Sequence, residues 1–338
     1  MSEGAPVSQR GVAEPRPTLR PVTPGRRARR PKPARPLLRM PSARIAIVIL
    51  AIVLFFAIFG GLLAPQNPLT INPYQLYQGP SAAHWFGTDY LGRDQLSRLL
   101  AGTRLSVLTA LEAVGIGLVL GAPAGVATVF LGRWFDFAAN RVTDAAMTLP
   151  SIFVAVAVTA SLGNGLVQAM LPVGVLLAPM FFRITRAATL ELSRAQYVEA
   201  AELLGASKLH VIRVHVIRKV LPTIAVTTAS AAGAALLAVS FLTFLGIGAQ
   251  PPAPTWGGVL ADDLDYLALA PWSPFIPAAL IAITVGALNT LADAFRDRAG
   301  AGALALNPAP PGPKQASPKL GRPKEEGDAD GAPAQLIA

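Results

Sequence analysis

Cysteine is absent from all 338 residues, which excludes a disulfide framework and any Cys-based metal, redox or nucleophilic site. Charge is scarce too: 14% of residues are Asp, Glu, Lys or Arg, where a soluble domain carries about 25%. What charge there is crowds the ends, with eleven Lys/Arg against two acids in residues 1–44. The interior is therefore more apolar than the 52% overall figure suggests. Several catalytic signatures are missing. There is no G-x-x-x-x-G-K-[ST] to cradle nucleotide phosphates, no H-E-x-x-H and no G-x-S-x-G. The chain reads as a non-enzyme with no nucleotide site and no cofactor of its own.

What is present is a series of long apolar runs. Ile45 to Ala64 is twenty residues without a charge, the length that crosses about 30 Å of hydrocarbon at about 1.5 Å per residue. It is too long for a signal-peptide core, and forty-odd residues precede it. Further runs cover Leu105–Leu131, Ala145–Leu162, Leu166–Phe182, Val220–Leu245 and Pro274–Leu291, with Gly163-Asn164-Gly165 as a turn between the third and fourth of the six. The pattern predicts six transmembrane helices in an all-α membrane protein. Residues 1–40, rich in Pro, Arg, Ala and Gly without apolar periodicity, read as a disordered arm.

The net charge of +10 invites a nucleic-acid reading, but its placement argues for a membrane. If the N-terminus is cytoplasmic, 26 of 29 Lys/Arg fall in cytoplasmic segments, and only Arg93, Arg98 and Arg104 lie outside. The positive-inside rule and anionic headgroups account for this, with both termini cytoplasmic. No aromatic-interleaved basic module points to nucleic acid.

The connection between the fourth and fifth spans, over 183–219, carries Tyr197-Val-Glu-Ala-Ala-Glu-Leu-Leu-Gly-Ala-Ser207. Tyr197, Ala200, Ala201 and Leu204 recur at i, i+3, i+4 and i+7, one face of a short helix, with Glu199 and Glu202 off it. Gly205 suits a left-handed helix terminus, and Ser207 can cap a second helix from Lys208. A face of small residues admits another protein's backbone closely. A helix lying on the membrane surface has the same composition.

The stretch Glu199-Ala200-Ala201, three residues, then Gly205 resembles the EAA loop of binding-protein-dependent ABC import permeases. Other segments agree with the second, C-type subunit of dipeptide, oligopeptide and nickel importers: His84-Trp-Phe-Gly-Thr-Asp-Tyr-Leu-Gly-Arg-Asp94, Ser97-Arg98, Gly102-Thr-Arg-Leu-Ser106, Phe244-Leu-Gly-Ile-Gly248, Pro251-Pro252, Trp256-Gly257, Asn289, Asp293 and Arg296-Asp297. The resemblance covers roughly residues 40–300. Two positions depart from it: Arg218-Lys219 stands where the family has Pro-Asn, bearing on how the fifth span begins, and Ala292 replaces a common Gly.

The resemblance implies a MetI-like fold: an N-terminal span over 41–64, an external loop over 65–104 and a five-helix permease core over 105–298; the Pro/Gly/Ala-rich stretch over 299–338, outside the resemblance, reads as a disordered cytoplasmic tail. It implies a multi-pass protein of a prokaryotic cell membrane that pairs with a homologous permease to enclose a route for short peptides, or for nickel or another small solute. An extracytoplasmic solute-binding protein would deliver the substrate. Tyr197, Glu199, Ala200, Ala201, Leu204 and Gly205 would form the coupling helix docking on cytoplasmic ABC ATPases, which would bind ATP and Mg. Alternating access would follow closure of the ATPase pair.

Gly117, Gly121 and Gly125, four apart, form a stripe suited to close helix packing, with a substrate-path role as the alternative. Glu112, about two turns inside the second span, is a candidate for the translocation path because a lone intramembrane carboxylate is costly; an outer-interface position or a bond to a partner helix would also accommodate it. His84, His210 and His215 read as structural or surface residues. The rival class is a self-sufficient secondary transporter. It calls for ionisable residues mid-membrane or an inverted repeat, and the cores of spans three to five carry no charge.

Overall fold

The computed structural model of the chain describes residues 40–163, 165–248 and 252–306. The arm over 1–39, the tail over 307–338, Asn164 and Pro251 lie outside the described residues, as do the side chains of Glu202 and His215. Ten helices form: α1 Pro41–Leu63, α2 Gln95–Phe130, α3 Arg133–Thr148, α4 Ser151–Leu162, α5 Leu166–Ser193, α6 Gln196–Leu203, α7 Lys208–Val211, α8 Ile217–Phe244, α9 Trp256–Asp265 and α10 Phe275–Leu306. A wider π-type turn, Ile212–Val216, joins α7 to α8. Among the described residues the only strand-like pairing is an isolated bridge between Thr88 and Asp94.

Five helices, α1, α2, α5, α8 and α10, are each long and apolar enough to cross a membrane. The expected third span is broken. α3 and α4 meet at 91° across Leu149-Pro150, because a residue before proline is pushed out of the helical region, and Leu149 sits at φ −83°, ψ 135°. α4 alone, twelve residues or about 18 Å, is too short to cross. The chain nevertheless has to return here. Gly117, Gly121 and Gly125 of α2 meet Leu177, Phe181 and Phe182 of α5 in the same order, so α2 and α5 run parallel. Two parallel helices require a crossing between them, and the bent pair α3–α4 supplies the sixth.

The stripe explains why α2 and α5 lie so close. A Cβ added at Gly117 would stand 2.8 Å from Leu177 Cβ, and one at Gly125 would stand 2.6 Å from the Phe182 carbonyl. The second obstacle is backbone and cannot yield. Facing them, Gly174 of α5 abuts Ile116 and the Ala113 carbonyl. Around this pair α8 and α10 pack together, α1 lies against α2 and α10, and Val114, Phe181, Ala235, Leu236 and Trp256 share one buried core.

Other boundaries also move. α2 begins at Gln95, ten residues before the expected span and inside what was taken as an external loop. Asp94 caps it, accepting the Ser97 backbone N–H at 2.8 Å. Its first turns bury Ser97, Arg98 and Thr103 against protein, so apolarity alone does not reveal them. α5 runs on to Ser193 rather than stopping near Phe182, and α10 runs to Leu306, into the segment read as tail.

Candidate functional site

The EAA segment folds as a helix-turn-helix. α6 ends in a Schellman motif: the Ala206 N–H donates to the Ala201 carbonyl at 3.0 Å, and Gly205 takes φ +88°, the left-handed conformation its sequence position called for. Ser207 Oγ then accepts the His210 N–H at 3.3 Å at the start of α7.

The face of α6 differs from the periodic reading. Val198 is 2% exposed and forms a cluster with Val211, Val216 and Val220, and Tyr197 and Ala201 pack against that cluster together with Phe130 and Leu192. These side chains fasten α6 to the rest of the chain. Ala200 and Glu199 face outward, as do Leu203 at 83% and Leu204 at 88% exposure. The expected face is thus split: Tyr197 and Ala201 anchor, Ala200 and Leu204 project. The i, i+3, i+4, i+7 count passed over Val198, and Leu204 lies past the helix end, where the helical wheel no longer describes its direction. Lys219, at one departure from the family pattern, places Nζ 3.8 Å from the Tyr197 ring centroid. At the edge of this layer Arg186 grips Asp136 of α3 with two hydrogen bonds, 2.6 and 2.8 Å, and Arg183 reaches Asp144 at 2.6 Å.

At the other end of the bundle the segment 65–94 closes over α9 through buried charges that the sequence did not bring together. Asp89 accepts the backbone N–H groups of Leu91 and Arg93, each at 2.9 Å, and the Arg93 Nε at 2.7 Å. Arg98 bridges Asp89 and Asp262, donating to Asp262 at 2.9 Å. Two of the three expected outer cations are therefore neutralised in place. Gly92, at φ +73° against the Asn72 carbonyl, provides the turn that brings Asp89 and Arg93 together. His84 is buried, its Nδ1 3.0 Å from Asp94 Oδ1, a structural role.

Beside this network Gln95 Nε2 donates to Asp263 and Ser273. Burial pushes the Asp263 carboxyl up to about 6; the Ser273 hydroxyl, Arg98 and Gln95 oppose the rise, and neighbouring Asp262 adds to it. Trp256, fully buried, donates its backbone N–H to Ser106 Oγ at 3.0 Å and its indole N–H toward the Leu99 carbonyl and Thr103 Oγ1 at 3.3 Å. Gly257 lies against the Ser240 carbonyl, so the Trp256-Gly257 pair seats α9 on α2 and α8. Glu112 is exposed on α2. The three glycines of the stripe are buried in packing. Among the described residues no group of His, Asp or Glu has the makings of a metal site.

Five membrane-length helices and a bent pair, with a helix-turn-helix at one end and a charge-locked cap at the other, make a multi-pass helical membrane protein. Residues 114–301 match the family of binding-protein-dependent transport system inner membrane components, and residues 26–80 match the N-terminal transmembrane domain of oligopeptide transport permease C. The chain belongs to this family of ABC-importer permease subunits. It is 34% identical over 255 residues to a dipeptide transport system permease protein of Alkalihalophilus pseudofirmus, covering 75% of this chain and 84% of that one. It is 35% identical over 257 residues to a probable D,D-dipeptide transport system permease protein of Escherichia coli, covering 76% and 86%. A glutathione transport system permease protein of Escherichia coli is 34% identical over 260 residues, covering 77% and 86%.

Proposed function

We propose that this chain is one of two homologous permease subunits that together enclose a route for short peptides across a prokaryotic cell membrane. An ABC ATPase, holding ATP and Mg, docks on the outward side of α6, and a solute-binding protein delivers substrate at the end capped by 65–94 and α9. The end bearing α3, α6 and α7 faces the cytoplasm, as do both termini. The excess of Lys/Arg in the segments at that end supports this orientation. The names of the three relatives support the substrate class, each being a small peptide.

One observation carries the docking assignment: Leu203 and Leu204 stand 83% and 88% exposed beside the small Ala200, on a helix whose other side is fastened by Val198. Two leucines left in water at a turn that their own chain holds in place fit a groove on a partner. Burying either contributes about 1.5–3 kcal/mol. Leu204→Arg removes that contribution without disturbing the Val198 cluster. It should lower ATPase affinity roughly a hundredfold, since about 3 kcal/mol corresponds to two decades. The measurement is recovery of the ATPase with the tagged permease in detergent. Loss of the ATPase with full recovery of the partner permease is the expected result. Unchanged ATPase recovery would mean that α6 lies on the membrane surface instead.

A further inference from the structure

The exposed side of α1 shows what lipid-facing surface looks like in this chain: Ile45, Val48, Ile52, Phe55, Ile58 and Phe59 are all exposed and all apolar. α2 breaks that pattern. Its exposed side carries Leu108, Leu111 and Val119, but Glu112 sits among them and Arg104 stands two turns outward. Neither charge has an ion-pair or hydrogen-bond partner among the described residues.

Glu112 is also deep. Its neighbour Ala113 places its carbonyl against Gly174 of α5, six residues (about 9 Å) below Gln168 at the start of that span. On the other side Gly174 is nine residues, about 14 Å, above Arg183. An unpaired carboxylate at that depth is costly against hydrocarbon, which favours a polar cover for this side of α2 in the assembled importer. Next to Glu112, Gly115 has open space where a Cβ would be, so nothing in this chain covers the helix surface beside the charge.

The two charges are opposite in sign, eight residues apart. That is about 12 Å along the axis and about 80° around it, so both belong to one side of the helix. A short peptide is a rod with the complementary charges at its ends. Two extended residues separate its ammonium and carboxylate by about 7 Å, and a charge-assisted contact of about 3 Å at each end brings the span to about 13 Å, close to the spacing of the two residues.

We propose that this side of α2 lines the translocation route, and that Glu112 receives the peptide's α-ammonium while Arg104 receives its carboxylate. The inference rests on the importer reading above and adds the residues that would select zwitterionic peptides over neutral solutes.

Because the chain has no cysteine, Glu112→Cys gives it a single thiol. The test uses the complete importer, partner permease, ATPases and binding protein included, in proteoliposomes. A water-soluble cationic thiosulfonate is applied, and its attachment to this chain is read by mass spectrometry. Modification that dialanine slows tenfold or more is the expected result. An unmodified thiol would place this side against lipid or the partner permease, and modification indifferent to dialanine would make it a wet wall that reads nothing; either overturns the proposal. Should Glu112→Cys fail to assemble, the isosteric Glu112→Gln is read by dialanine uptake. A tenfold fall with full recovery of the partner permease supports the role, and normal uptake sinks it. Wild-type uptake of dialanine separates the two readings. With uptake and an inert thiol, only this inference falls; without uptake, the peptide reading falls with it.

Discussion

Asp263 departs from its ordinary carboxylate value, and the departure has a sign. Its carboxyl is raised by burial to about 6 in the folded protein, above the value in an unfolded chain near 3.9. The folded state therefore holds the proton more tightly. The stabilisation linked to that proton is complete below about pH 4, declines as pH climbs toward 6, and is gone above it. Asp263→Asn keeps the shape and removes the titration. The melting temperature of the variant complex, minus that of the wild type, should rise between pH 4 and 6 and level off beyond. A difference that stays flat across that window would show that Asp263 does not titrate there. None of this was legible in the sequence, where Asp263 was one of three acids in an outer loop. The partner that matters, Gln95, lies 168 positions away, and Arg98 meets Asp262 across 164. Lys219 is a similar case. It stood out as a departure from the family pattern, but its position over Tyr197 follows from the turn at Gly205, which brings α8 back beside α6.

Among the elements, the best-read were those set by one physical requirement. α1 is apolar on its packed and its lipid-facing sides alike, so its composition alone located it. The glycine stripe of α2 was legible for the same reason: residues four apart without side chains serve close approach, and α5 lies against them. Gly125→Val therefore drives two methyls into the Phe182 carbonyl and the Arg186 backbone. It should cost about 1–3 kcal/mol or more in thermal denaturation of the complex. Gly61→Ala, on α1 where nothing lies within 4 Å of the new Cβ, should be neutral or add about 0.5–1 kcal/mol. Equal effects at the two positions would contradict the packing account. The third crossing was misread as one helix because hydropathy averages over Leu149-Pro150, although the proline carried the signal. The first turns of α2 are polar and covered by protein, and the last of α5 carry Arg183, Arg186 and Glu191, so in both places the helix outruns the apolar stretch. The outward side of α6 was misassigned by a helical count continued past the residue where the helix stops.

As a whole molecule, the bundle divides its labour by end. One end is closed by buried ion pairs between 65–94, α2 and α9, and it resists rearrangement because pulling Arg98 from both Asp89 and Asp262 would leave a buried charge unpaired. The opposite end presents α6, held from behind and bare in front. On the proposed reading, ATPase-driven alternating access would push this body at α6. The family was legible before the structure because its motifs mark these two ends: His84 to Asp94 and Trp256-Gly257 build the cap, and Glu199 to Gly205 builds α6 and its closing turn. The central claim is that energy enters through α6 from a partner that hydrolyses ATP. Its most direct test is accumulation of labelled dialanine in proteoliposomes holding the complete importer, with the binding protein outside and ATP enclosed or withheld. Accumulation against the gradient only when ATP is enclosed, and its loss with Leu204→Arg, is the predicted result. Accumulation without ATP, driven by an ion gradient and indifferent to Leu204→Arg, would contradict the account and make the protein a secondary transporter.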